Sequence, residues 1–303
     1  MKFIRTIIII FLVLFVADIG RYFVYPDVGK LIDENPQKTA FMEDREAEWL
    51  QEGLLDKKIR QKWVPLKKIS PNLIKAVLIA EDDKFWQHEG FDYQAIERAI
   101  EKNLLAKKFK MGGSTISQQL AKNLYLSSSK NPVRKIKEAI LTWRIEKTLS
   151  KRRILELYVN VAEWGDGIFG IGEASRHYYG VSPSGLSGQQ ASKLASVLPN
   201  PIRYSPIGSS PYVRARSRII YAIMQKRGII VPGYREVMSL PADTTAIDSV
   251  VVGVPEYLLD QAISADSSAG SDSVEKGSVS ESQKDGAAPA QPSDNGAGSR
   301  RSE

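Results

Sequence analysis

The fold is decided by residues 71–90, which read PNLIKAVLIAEDDKFWQHEG. Ser70 and Pro71 are typical of a helix start, and the apolar residues that follow recur with the period of an α-helix. The spacing predicts a helix from Pro71 to about Lys84. The same stretch ends in three consecutive acids, two aromatic rings and one of only two histidines in the chain. This ending is unusual for a buried helix and indicates a functional site at its carboxyl end.

One of the three acids is singled out by the helical spacing. Four residues are spaced i, i+3, i+4 and i+7 and therefore share one face: Ile74, Val77, Leu78 and Glu81. A carboxylate at the end of an apolar face is partly desolvated, which raises its pKa towards the range that suits a general base. Glu81 is therefore a candidate base, and the alternative is an acid at the helix end that turns to solvent. His88 is expected to be a hydrogen-bonded structural residue.

Helix start signals recur along the chain and predict one mostly α domain over about 60–240. The predicted helices cover 93–106, 115–125, 132–149, 151–161, 188–198 and 211–228, and Ser114 is expected to cap the second of them. No strand-length run of alternating polar and apolar residues competes with these helices. The sequence therefore predicts a helical fold class.

The N-terminal 25 residues predict a membrane anchor. Lys2 and Arg5 precede ten unbroken apolar residues, 7–16, and a weaker apolar continuation reaches Tyr25. The basic flank predicts a cytoplasmic N-terminus, with the rest of the chain outside the cytoplasmic (inner) membrane after a single pass. The alternative is a cleaved signal peptide.

Two further segments flank the predicted domain. Residues 26–59 are expected to form an amphipathic juxtamembrane stalk. Residues 241–303 are expected to form a C-terminal extension, disordered from about 262, where aromatic residues and apolar periodicity both end.

The charge of the chain is unevenly distributed. The net charge is +7, and residues 101–160 hold fourteen Lys and Arg against four Asp and Glu. Such a concentration predicts an anionic partner: nucleic acid, a membrane surface or a phosphorylated substrate. The absence of cysteine from the sequence excludes disulfides, thiolate metal sites and Cys nucleophiles.

Two more groups of polar residues lie within the basic half. The sequence GGSTISQQLAKN, residues 112–123, predicts a polar helix stripe that suits sugar hydroxyls and a phosphate: Thr115, Gln118, Gln119 and Lys122. The alternative for this stripe is a solvated face. Further on, Arg134 and Glu138 are i, i+4 partners, which fits either a surface ion pair or a second functional carboxylate within a cationic field.

In their order and spacing, these segments resemble glycosyltransferase family 51, the peptidoglycan glycosyltransferases, and in particular its monofunctional branch. The resemblance covers about residues 65–205. It is carried by AEDDKFWQHEGFD from 80, GGSTISQQLAKN from 112, RKIKEAILTWRIE from 134 and KRRILELYVNVAEWGDGIFGIGEASRHYYG from 151. The sequence departs from the family pattern at Lys84, Tyr179 and Val181, which is expected to tune binding.

The resemblance implies a lysozyme-like glycosyltransferase domain that polymerises lipid II into β-1,4 glycan with loss of undecaprenyl pyrophosphate. It assigns Glu81 as the general base and Glu138 as the second glutamate. The substrate-binding residues that it implies are Asp82, Phe85, His88, Ser114, Thr115, Gln118, Gln119, Lys122, Asn123, Arg134, Lys135 and Lys137. No obligatory cofactor is expected, but Glu138 is a candidate for holding Mg²⁺ or Mn²⁺ on the pyrophosphate. The expected partners are lipid II, the growing lipid-linked glycan, the membrane and other cell-wall synthesis or division proteins, and no nucleic acid.

Two other functions compete with this one. A peptidoglycan hydrolase of lysozyme-like fold would need a protonated carboxylic acid and would gain little from a basic cluster. A membrane-tethered basic protein that only binds a polyanion would scatter its charges over one face. The dinucleotide-binding pattern GDGIFG at 165–170 lacks a βαβ context and is set aside.

Overall fold

A computed structural model describes residues 2–106, 113–128 and 131–228. The predicted extension 241–303 and its expected disorder lie outside the described residues, as do residues 229–240 of the predicted domain. Ten α-helices lie in the described part: α1 Lys2–Gly20, α2 Ala40–Gln51, α3 Pro71–Glu81, α4 Tyr93–Ala106, α5 Ile116–Tyr125, α6 Pro132–Thr148, α7 Lys151–Val161, α8 Ile171–Tyr179, α9 Gly188–Val197 and α10 Pro211–Lys226. The prediction of a mostly α fold is confirmed.

Three short strands accompany the helices: β1 Arg60–Gln61, β2 Glu163–Gly165 and β3 Ile168–Phe169. β3 is central, and it pairs parallel to β1 and antiparallel to β2. Four 3-10 turns join the elements: Arg21–Phe23, Gly29–Ile32, Leu66–Lys68 and Pro183–Gly185. The strands are too short to show in a periodicity search, and the sequence predicted none of them.

The core forms around α3. Seven of its eleven residues are buried, and the helix packs against α9 and α10. A second group of packed helices consists of α5 with α6 and α7. Because α3 is apolar on nearly every side, it is enclosed by other elements, and its polar end is carried into the middle of the fold.

The helix predicted to run from Pro71 to Lys84 ends at Glu81. Asp82 leaves the helical conformation at φ −164° and ψ 77°. Its carboxylate accepts hydrogen bonds from the Ile116 backbone N–H at 2.9 Å and from His88 Nε2 at 2.9 Å. These two bonds require a turn away from the helix axis, which is the physical reason for the earlier end.

A second correction concerns the start of α5. Thr115, not Ser114, is the N-cap: its hydroxyl accepts from the Gln118 N–H at 3.2 Å. Gln118 Oε1 in turn accepts from the Thr115 N–H at 3.0 Å, which completes a capping box.

The segment 26–59 is not a separate stalk. Its helix α2 packs against α5, and Trp49 is buried. Arg45 makes a two-point ion pair with Glu163, with N–O distances of 2.9 and 3.0 Å. Trp49 Nε1 donates to Asp166 at 2.9 Å. Composition indicated an amphipathic segment, but not that its partner is the domain itself.

Helix α1 and the turn after it form one candidate membrane span, Lys2–Phe23, of 22 residues. An 18-residue stretch of it has a mean hydropathy of 2.5 and no buried residue. At about 1.5 Å per residue, this length is enough to cross a bilayer. The end of the span is attached to α6, since Arg144 donates to the carbonyl oxygens of Tyr22 at 2.9 Å and Val24 at 2.8 Å.

Candidate active site

The site is centred on Glu81, the last residue of α3. The side chain is 10% exposed, so the prediction that this acid emerges from the buried stripe is confirmed and the solvent-facing alternative is not supported. Gln119 Nε2 donates to Oε2 at 2.9 Å, and Arg216 Nη2 lies 3.3 Å from Oε1. Burial raises the pKa of Glu81, while the charge of Arg216 and the bond from Gln119 lower it in part.

The amide of Gln119 is oriented by a tyrosine. Tyr158, on α7, donates its hydroxyl hydrogen to Gln119 Oε1 at 3.0 Å, which leaves Nε2 to face Glu81. Burial raises the pKa of Tyr158 well above its ordinary value, so the hydroxyl stays a donor. Tyr158 and Gln119 therefore form a chain of hydrogen bonds that presents a donor to the carboxylate.

Asp82 and His88 form a hydrogen-bonded pair next to Glu81. Asp82 is fully buried, and His88 Nδ1 accepts from the Gly90 N–H at 3.1 Å while Nε2 faces Asp82. Because Nδ1 accepts, the ring hydrogen is on Nε2 and faces Asp82. His88 is hydrogen-bonded as predicted, and its part in substrate binding stays a prediction. Phe85 is fully buried with its ring edge-to-face on Trp86, and Lys151 Nζ lies 4.6 Å from the Phe85 ring centroid.

The predicted polar stripe on α5 divides into two parts. Thr115 and Gln118 are buried, and their polar groups are used in the capping box. Gln119 and Lys122 face Glu81 and the basic residues. Substrate binding by Thr115 and Gln118 stays a prediction, and the geometry does not support it, because the polar groups of both residues are buried and already bonded. Residue spacing alone cannot distinguish a helix cap from a substrate-binding stripe.

The second candidate carboxylate, Glu138, is buried within a cationic pair. Its side chain is 3% exposed, Arg134 Nη1 donates to Oε2 at 2.8 Å, and Lys135 Nζ bonds to Oε1. The alternative of a solvent-exposed surface ion pair is therefore wrong. Lys135 also donates to Ser114 Oγ at 3.2 Å, which links this cluster to the start of α5.

Lys122 lies between the two carboxylates. Burial lowers its pKa, and the nearby charges oppose one another: Glu138 and Glu81 raise the pKa, while Arg134 and Lys135 lower it. The Lys122 ammonium lies 4.9 Å from the ring centroid of Phe41, a residue of α2. The segment predicted as a stalk thus contributes to the site.

Lys137 lies elsewhere. Its Nζ is 2.5 Å from Asp18 Oδ2 and 5.0 Å from the ring centroid of Tyr22, at the end of the candidate membrane span. The resemblance placed Lys137 among the pyrophosphate-binding residues, but the structure places it against the anchor. The helical period turns Lys137 away from Lys135, two residues before it, and from Glu138, one residue after it. Asn123 is buried on α5, with its Oδ1 lacking a hydrogen-bond partner among the described residues.

Sequence reasoning missed Arg216 of α10 and did not include Tyr158 among the site residues. Tyr158 lies within the segment from 151 that carries the resemblance, so its signal was present. Arg216 lies beyond that segment, in a helix where basic residues recur on several sides. No local sequence pattern distinguishes the buried Arg216 from the other arginines of α10.

The donor set is poorly suited to a resident metal ion. Both oxygens of Glu138 bond to cationic side chains, and within the described ranges no group of three or more acidic or histidine side chains is placed to hold a metal. A divalent cation at Glu138 would have to displace Arg134 or Lys135 and take its remaining ligands from the substrate. Mg²⁺ or Mn²⁺ at this position stays a prediction.

The glycines of the pattern at 165–170 are explained by packing. Gly165 and Gly167 belong to the β2–β3 hairpin and Gly170 caps the start of α8, so the segment is not a βαβ unit. Gly170 has φ 74°, and a Cβ there would lie 2.6 Å from the Asn160 carbonyl oxygen. The dinucleotide interpretation is therefore excluded for this segment.

Comparison with known proteins shows the family of the chain. The family model described as transglycosylase matches residues 47–225. A biosynthetic peptidoglycan transglycosylase of Nitrosospira multiformis is 49% identical over 195 residues, which is 64% of this chain and 84% of the relative. One from Chromobacterium violaceum is 50% identical over 188 residues, 62% of this chain and 82% of the relative.

A third relative with the same name, from Herminiimonas arsenicoxydans, is 41% identical over 223 residues, 73% of this chain and 96% of the relative. The match includes all the segments that carry the resemblance to glycosyltransferase family 51, and the predicted lysozyme-like fold class is confirmed with it. The chain belongs to the transglycosylase family.

Proposed function

We propose that the protein is a peptidoglycan glycosyltransferase that polymerises lipid II into β-1,4 glycan strands for bacterial cell-wall synthesis. The observation that carries the proposal is the arrangement around Lys122, where the largely buried carboxylate of Glu81 adjoins a cationic cluster bonded to the buried carboxylate of Glu138. Alcohol attack on a sugar needs a base, and departure of a pyrophosphate needs positive charge. The site supplies one group of each kind.

In the proposed reaction, Glu81 takes the proton from the 4-hydroxyl of the acceptor GlcNAc. The oxygen then forms a bond to the anomeric carbon of the donor MurNAc, while the bond from that carbon to the pyrophosphate oxygen breaks. Undecaprenyl pyrophosphate leaves with the electron pair, and displacement with inversion converts the α-linked donor into a β-linkage. Gln119 holds the carboxylate at Oε2, and Arg216 lies next to Oε1.

The charge on the leaving group is assigned to Lys122, Arg134 and Lys135. Glu138 bonds to two of these residues and so fixes their positions before the substrate arrives. A preorganised cluster in a partly desolvated site stabilises developing charge without reorganising. This assigns Glu138 to positioning, not to proton transfer.

The proposed location is the cytoplasmic membrane, with the N-terminus inside and the domain outside. The support comes from the end of the candidate span. Phe23 packs edge-to-face on Trp143 at 6.5 Å between ring centroids, and Trp143 and Ile136 are exposed on the same side of α6. Exposed aromatic residues beside an apolar helix are typical of the membrane interface. Both lipid-linked substrates would then lie in the same bilayer as the anchor.

The test is to mix the purified full-length protein with lipid II and follow the product. We expect long glycan chains that lysozyme digests, together with released undecaprenyl pyrophosphate. A protein that shortened existing glycan and left lipid II intact would instead be a hydrolase, and the proposal would be wrong. The comparisons favour synthesis, since the matching relatives bear a biosynthetic name.

A further inference from the structure

Helix α10 contacts the catalytic helix through a buried arginine. α10 packs against α3, and the side chain of Arg216 is 8% exposed. Its Nη2 donates to the Ala80 carbonyl oxygen at 2.9 Å and lies 3.3 Å from Glu81 Oε1. Nη2 of Arg216 therefore contacts both the backbone of the last turn of α3 and the Glu81 carboxylate in that turn.

The burial of this guanidinium has a free-energy cost that its hydrogen bond to the Ala80 carbonyl oxygen does not offset. Arginine carries five N–H donors, and among the described residues Nε of Arg216 is buried without a partner. A neutral donor would serve the Ala80 carbonyl without the desolvation of a full charge. The charge at this position is therefore best explained by the carboxylate beside it.

A second arginine of the same segment holds the other side of the acidic stretch. Arg227 lies eleven residues after Arg216, about three helical turns, and its Nη2 donates to Asp83 at 2.9 Å. Asp82, between the two, is held by His88 and the Ile116 N–H. The backbone on both sides of Glu81 is thus fixed, and the side chain is left to be oriented by Arg216 and Gln119.

Several charged or titratable groups face Glu81. They come from three helices, with Arg216 on α10, Lys122 on α5 and Tyr158 on α7, and Asp82 is next in the chain. Burial raises the pKa of Glu81, and Arg216 is the strongest of the groups that lower it. Without a counter-charge, desolvation would leave the carboxyl protonated over a wider range of pH, and a protonated acid cannot accept the substrate proton.

We propose that Arg216 is a positioning residue for Glu81, which orients Oε1 and keeps the carboxylate charged so that it can accept the proton of the acceptor hydroxyl. The inference rests on the proposed role of Glu81 as the base. It adds α10 to the catalytic machinery through electrostatics, since Arg216 acts on the base and not on the substrate.

The test is the pH dependence of lipid II polymerisation by the full-length protein and three variants. Arg216→Gln removes the charge and keeps a polar side chain. Arg216→Lys keeps the charge but replaces the planar guanidinium and its several donors with an ammonium group. Arg218→Gln removes a charge from an exposed position of the same helix and is the matched control. Thermal unfolding of each variant measures any effect on the fold alone.

We expect Arg216→Gln to lower the rate at pH 7 by about tenfold, as the loss of an adjacent opposite charge implies. The acid limb of the profile should move to higher pH, so that the deficit shrinks as the pH rises. Arg216→Lys should give an intermediate limb, and Arg218→Gln should follow the wild type.

A rate that falls by the same factor at every pH, with the acid limb unmoved, would overturn the inference and leave Arg216 a packing residue. If Arg216→Gln unfolds below the assay temperature, its profile is measured at a lower temperature at which it stays folded, and the same criterion applies. Failure of the proposed function is distinguishable, because the wild type itself would then make no glycan at any pH.

Discussion

Glu81 and Glu138 are both buried carboxylates in one site, but their surroundings differ. Glu81 has an amide on one oxygen and a single arginine 3.3 Å from the other. Glu138 has a cationic side chain bonded to each oxygen. A carboxylate that is only partly compensated is suited to take up a proton, whereas one held by two cations is suited to place those cations. The contrast separates the proposed base from the proposed organiser of charge.

The largest effect is expected when the base is removed. Glu81→Gln keeps the size and a polar group but cannot accept the substrate proton, so we expect lipid II turnover to fall by about 10²–10⁴-fold. The measurement is glycan formation from lipid II under single-turnover conditions. Asp83→Asn is the matched control, since it changes an acid two residues away that pairs with Arg227. Equal losses in both variants would contradict the special role of Glu81.

The second effect tests the other side of the comparison. Glu138→Gln leaves Arg134 and Lys135 without their shared carboxylate, so that their positions relax, and we expect turnover to fall up to about a hundredfold. Glu48→Gln removes an exposed acid from another arginine pair and serves as the control. Near-normal turnover by Glu138→Gln would show that the cations are placed without it.

The third effect concerns pH. Because the pKa of Glu81 is raised above its ordinary value of 4.5, the group is protonated at a higher pH than an exposed glutamate. The base is active only when ionised, so the rate should fall with falling pH, by about tenfold per unit below that pKa. A pH–rate profile of the wild type checks this. An acid limb at or below 4.5 would mean that another group controls the rate.

The smallest effect is expected at Lys137. This residue pairs with Asp18 near the anchor, outside the cluster around Glu138. We expect Lys137→Gln to change turnover by less than about threefold, whereas Lys135→Gln should lower it about tenfold or more through the loss of one charge-stabilising group. The comparison is made with lipid II in vesicles. Equal losses would return Lys137 to the pyrophosphate site.

Much of the fold was predictable because helix caps and apolar periodicity are local signals. The helix 151–161 is found with its Ser150 cap as predicted, and the helix 93–106 begins after Asp92 as predicted. The end of α3 was not predictable, since it depends on bonds from Asp82 to residues that are distant in sequence. The docking of α2 was missed for the same reason: its partners Glu163 and Asp166 lie more than a hundred residues away.

The site was predictable to the extent that helical spacing determines it. The i, i+7 relation of Ile74 and Glu81 gave the burial of the base, and the i, i+4 relation of Arg134 and Glu138 gave their pairing. Spacing within one helix does not reveal which residues of other helices will contact each of its faces. That is why Arg216 was missed and why Lys137, on the same helix as Glu138, was grouped with the wrong residues.

The attachment of α2 to the β2–β3 hairpin has a mechanical consequence. The chain leaves the anchor at α6, where Arg144 holds it, passes Leu31, whose carbonyl oxygen accepts from Arg153 at 2.8 Å, and reaches the ion pair of Arg45 with Glu163. These three contacts attach the segment to the domain along its length, so it is not a free tether. If α1 spans the membrane as proposed, these contacts hold the domain at one height above the bilayer, and lipid-linked substrates would reach it by lateral diffusion.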